Sequence, residues 1–125
     1  MARSGSSADP LYAQSSQPVG QGQTLAYASV SAALAGANTL VAAAGAGARI
    51  YVVSYLLVAA GAVTVEFRSG VTPISGVMSL AANGQVRADG QPSSPLFRTA
   101  ANEALGLQLG GAVQVSGHLT YFMAA

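Results

Sequence analysis

The chain has 125 residues, five arginines, no lysine, four carboxylates and a formal net charge of +1 at neutral pH. That balance leaves no basic footprint for nucleic acid or anionic lipid, and the absence of cysteine excludes a disulfide framework or a thiolate metal site. Only 7% of residues are charged, against roughly 25% in ordinary domains, so one domain of this size must expose apolar surface and is expected to cover it by oligomerisation.

The first 24 residues, MARSGSSADPLYAQSSQPVGQGQT, are rich in Ser, Gln, Gly and Pro and lack the charged-then-apolar pattern of a signal peptide. They read as an extended N-terminal arm over residues 1–24. Its few apolar anchors, Leu11, Tyr12 and Val19, are expected to touch a neighbouring chain or the surface on which the protein sits.

From Leu25 to the end the pattern is strand, turn, strand, which defines a single β-sandwich domain over residues 25–125. The predicted strands are Leu25–Val30, Ala37–Ala43, Arg49–Val58, Ala62–Arg68, Ile74–Ala82, Gln85–Ala88, Glu103–Leu109 and Ala112–Met123. Turn signals separate most of them: Gly45–Gly47, Ser69–Gly70, Asn83–Gly84, Asp89–Pro95 and Gly110–Gly111. The alanines of residues 31–48 would suit a helix, but Gly36, Gly45 and Gly47 interrupt it.

The uncharged run IYVVSYLLVAAGAV, Ile50 to Val63, is too short and too rich in β-branched residues for a membrane helix, which needs roughly 20 apolar residues. It reads as two strands joined by a hairpin loop at Ala59-Ala60-Gly61, with Gly61 supplying a left-handed position. The second strand alternates, with Val63, Val65 and Phe67 inward and Thr64, Glu66 and Arg68 outward. The first is apolar on both faces: Ile50, Val52, Leu56 and Val58 on one, Tyr51, Val53, Tyr55 and Leu57 on the other. A strand apolar on both faces must be covered on both. The row Tyr51, Val53, Tyr55 and Leu57 is therefore expected to close an oligomer. In the last strand Val113, Val115, Leu119 and Tyr121 share a face with Gly117, opposite a polar row of Gln114, Ser116, His118 and Thr120.

Residue types for chemistry are sparse. His118 is the single histidine, and Asp9, Glu66, Asp89 and Glu103 show no metal-ligand spacing around it. No Gly-x-Ser-x-Gly elbow is present, and Glu66 and Arg68 read as a pair on one strand face. GAGARI at Gly45–Ile50 lacks the third glycine of a dinucleotide loop and the lysine of a phosphate loop, so it reads as a turn. Zero tryptophan and 6% aromatics weigh against a stacking platform for sugars or bases. The expectation is a protein that is not an enzyme, without catalytic residues, cofactor or metal, and without nucleic acid or membrane as a partner.

Residues 49–123 carry a run of motifs, AAGAV.V.F.SG, then SG.MSLAANG, then TA..EAL.L.L, then a closing V.GHLTY. This run resembles a pattern recurring among small tailed-phage virion proteins. The resemblance implies a head decoration (cement) protein, with a jelly-roll-like antiparallel β-sandwich that is usually trimeric and sits on the outer capsid shell. Its implied partners are copies of itself, as a homotrimer, and the major capsid protein. It would be made in the bacterial host cytoplasm and located on the virion. Similar β-modules also occur in phage tails and fibres, where the implied role is receptor or glycan binding.

Overall fold

A computed structural model describes residues 24–125. Those residues contain no helix and ten strands: β1 (Ala26–Ala32), β2 (Gly36–Val41), β3 (Arg49–Ala59), β4 (Val63–Ser69), β5 (Thr72–Pro73), β6 (Met78–Leu80), β7 (Gln85–Asp89), β8 (Phe97–Arg98), β9 (Leu105–Leu109) and β10 (Val115–Ala124). All pair antiparallel. The first sheet runs β1-β10-β3-β7, with β8 on the same edge of β3 as β7; the second runs β2-β9-β4-β5, with β6 beside β5 on β4. This is a β-sandwich with the strand order of a jelly roll. The arm expected over residues 1–24, including Leu11, Tyr12 and Val19, lies almost wholly outside the described residues.

Most connections pass between the sheets. The segment Ala60–Ala62 links β3 in the first sheet to β4 in the second, so the expected hairpin at Ala59–Gly61 is a crossover. Gly61 is not in the left-handed region; its role is proximity, since a Cβ there would meet a Val113 methyl at 3.4 Å. The predicted strand Ile74–Ala82 shrinks to β6, and Phe97–Arg98, unmarked by any alternation, forms the short β8.

The core lies between the sheets. Val30, Ile50, Val52, Leu57, Val115 and Leu119 enter from the first, and Val65, Phe67, Leu105, Leu107 and Leu109 from the second. Phe67 packs tilted against Tyr55, with ring centroids 4.8 Å apart, and against Phe97 at 5.1 Å. Such aromatic pairs add about 0.5–1.5 kcal/mol each beyond the area they bury. The alternation of β4 is as expected, with Val63, Val65 and Phe67 buried.

The expected faces of β3 do not survive. Opposite β10, Thr120 pairs with Ser54 but Tyr121 pairs with Val52, leaving Val53 as an extra residue in β3. A bulge of this kind reverses which residues point inward. Ile50 and Val52 face the core before it; Tyr55, Leu57 and Ala59 face the core after it. Leu56 and Val58, expected beside Ile50, lie on the outer face with His118 and Ser116, their partners in β10. The row Tyr51, Val53, Tyr55 and Leu57 is therefore not one surface: Tyr51 is outward, Val53 is the bulge, and Tyr55 and Leu57 are interior. The bulge sits where β7 ends and β8 begins on the same edge of β3. There the amides of Gly90 and Leu96 donate to the Val53 and Val52 carbonyls at 2.7 and 2.8 Å.

Candidate functional site

Antiparallel partners share a face, so the register lays out the outer side of the first sheet. Ser29, His118, Leu56 and Arg87 form one row across β1, β10, β3 and β7, and Tyr27, Thr120, Ser54 and Asp89 form the next. A depression of about 180 Å³ opens between these rows, lined by Ser54, Tyr55, Leu56, Arg87, Asp89 and His118. The Arg87 guanidinium lies 3.5 Å from the Asp89 carboxylate, and both side chains are about 70% exposed. A pair so open to water contributes little.

Serine, histidine and aspartate, the residue types of a hydrolytic triad, thus line one hollow. Among the described residues no hydrogen bond links Ser54 to His118 or His118 to Asp89, whereas a triad needs the base bonded to both nucleophile and orienting acid. Nor does any group of three His, Asp or Glu side chains gather among the described residues. The hollow offers scattered polar groups to a ligand and no organised proton path.

At the far end of the same face Tyr51 stacks on Phe122, its ring centroid 4.9 Å away and the planes 6° apart. The Arg98 guanidinium lies 5.9 Å from the Tyr51 ring centre, and the Tyr51 hydroxyl donates to the Ala125 carbonyl at 2.9 Å. Phe122 is buried despite facing outward. Of the four residues expected at an oligomer interface, Tyr51 alone reaches this face. Tyr55 is in the core with its hydroxyl 3.9 Å from the Met78 sulfur, and burial pushes its phenol above the ordinary tyrosine range.

Two polar groupings mark the second sheet. Arg68 Nε bonds Glu66 Oε1 at 2.8 Å on the outer face, the pair expected from their spacing. The other was not legible. Ser69, fully interior at the end of β4, donates its hydroxyl to Glu103 at 2.6 Å and accepts the Ala100 amide at 2.8 Å. This ties the loop before β9 to β4, and 34 residues separate the partners. No local pattern could have announced it. A second hollow, about 370 Å³ and lined by Thr64, Ser79, Leu80 and the glycine turn Gly110–Gly111, lies over β4 and β6.

No protein-family model matches the chain, and no curated protein matches its sequence. Among solved structures, a chain from the disulfide-linked pili of Bacillus endospore appendages is similar at a TM-score of 0.42 and 18% identity, covering 88% of this chain and 95% of that one. A likeness this distant leaves function to be argued from the surfaces themselves. Among the described residues no helix is long and apolar enough to cross a membrane.

Proposed function

We propose that this chain is a structural virion protein, a head decoration protein of a tailed phage that bridges capsomers on the outer capsid surface. Its partners in this reading are copies of itself, as a homotrimer, and the major capsid protein. The observation that carries it is the outer face of the first sheet. Tyr27, Ser29, Ser116, His118, Leu56 and Val58 spread across three adjacent strands without a charged side chain among them. The uncharged stretch across these three strands is good at lying against another protein, because no charge need be desolvated there; Arg87 and Asp89 sit at its β7 margin. The motif run over residues 49–123 supplies the phage context. Purified protein added to undecorated heads should bind saturably, at a fixed number of copies per capsomer. Heads that stay bare at micromolar protein would overturn the reading.

A second reading, a glycan-binding module of a tail or fibre, draws on the hollow lined by Ser54, Arg87, Asp89 and His118. Its polar groups could bond sugar hydroxyls. Titration with host-surface polysaccharide separates the two. Binding abolished by Arg87→Ala would favour the module.

A further inference from the structure

An open sandwich has sheet edges, and each unguarded edge is a template for another strand. Among the described residues, three of the four edges carry guards. At β7 the outward Arg87 and Asp89 place charge beside the edge. At β2 the register against β9 skips Leu40, a bulge that bends the edge. At β5 and β6 the strands have two and three residues, and Pro73 removes an amide donor.

The fourth edge has none of these. β1 is seven residues, AYASVSA, with no charge and no proline, and its register against β10 is continuous. Exposed apolar side chains gather around it as well. Leu25, Tyr27 and Leu34 are 37%, 75% and 69% exposed and all lie on β1 or within two residues of it.

We infer that β1 pairs antiparallel with β1 of a second copy of this chain, across a twofold axis at Ser29, joining two first sheets into one. The strand is self-complementary in that register. On the outer face Ser29 meets Ser29 of the second copy, and the bulky Tyr27 meets the small Ser31. On the inner face Ala28 meets Val30 and Ala26 meets Ala32. At each end Leu25 comes opposite Ala33 of the second copy, with the exposed Leu34 one position beyond it. The strand carries no charge, so two copies approach without repulsion. Pairing of β1 with any other edge would meet a charge, a bulge or a proline. The contact is therefore isologous; it cannot close a trimer and would instead join one trimer to another, and it is independent of whether the protein belongs to a virion.

The chain has no native cysteine, so single-cysteine variants of the full-length protein report the contact cleanly. Directly opposed residues of an antiparallel pair have Cβ atoms about 4.5–5.5 Å apart, within reach of a disulfide or a short bismaleimide. Ser29→Cys should give a covalent dimer at low micromolar concentration, and Thr39→Cys on the guarded edge of β2 should not. Ser29→Lys places two like charges at the axis and should halve the mass of the largest species in light scattering. The inference is overturned by a Ser29→Cys protein that stays uncrosslinked, or by a Ser29→Lys protein of unchanged mass. It is equally overturned if the β1 amides resist hydrogen exchange at dilutions where the chain is monomeric, since residues 1–23 of the same chain would then occupy the edge.

Discussion

Gly117 in β10 lies so close to Leu56 in β3 that a Cβ on Gly117 would run into the Leu56 carbonyl oxygen. Its φ of +154° is a value that side-chain-bearing residues rarely adopt. The two central strands of the first sheet can therefore meet here only if position 117 is glycine. Gly117→Ala should lower the free energy of unfolding by about 3–5 kcal/mol. Gly111→Ala, with open space around it, should change it by less than about 0.5 kcal/mol. Urea denaturation of both variants checks the contrast.

The bulge at Val53 makes a prediction that simple alternation reverses. Leu57 is fully interior and its neighbour Val58 is exposed. Leu57→Ala should destabilise by about 2–5 kcal/mol, and Val58→Ala by less than about 1 kcal/mol. Equal losses for the two would remove the bulge from the account.

Ser69 anchors the loop before β9 through Glu103 and the Ala100 amide. Ser69→Ala removes two part-buried hydrogen bonds, one of them to the Glu103 carboxylate, and should cost about 1–3 kcal/mol. Faster amide exchange confined to Ala100 and its neighbours would accompany the loss. Unchanged exchange there would show that the loop is held by other contacts.

Tyr55 gives an alkaline limit. Its phenol is raised in the folded state by burial, so the unfolded chain releases that proton first. The associated stability is complete below the unfolded tyrosine value of about 10 and is lost as pH rises through the folded one. Thermal midpoints should fall above about pH 10, and less steeply in Tyr55→Phe. An identical fall in both proteins would assign the alkaline limit to other groups.

His118 is exposed on the outer face and has no side-chain partner among the described residues. His118→Gln keeps a hydrogen-bonding group there and should leave stability within about 0.5 kcal/mol. A hydrolytic activity present in the parent and absent in this variant would contradict a purely structural role.

The sequence by itself determined the β class, most strand positions, the turns at Asn83–Gly84 and Gly110–Gly111, and the inward row Val63, Val65 and Phe67. These depend on alternation and turn chemistry, which act over a few residues. The same local reasoning anticipated the Glu66–Arg68 pair, because two positions along a strand return to the same face. It failed at β3, where alternation carried through Val53 places Tyr55 and Leu57 on the wrong side. The bulge is imposed from outside the strand, by β10 on one edge and the β7–β8 connection on the other. Sheet membership was illegible for a related reason: Ala60-Gly61-Ala62 can close a hairpin or cross a sandwich, and only the competition among all strands for core positions selects the crossover. The Ser69–Glu103 tie and the hollow beside His118 belong to the same group. Each is assembled from residues distant in the chain, which become neighbours only once the two sheets have packed.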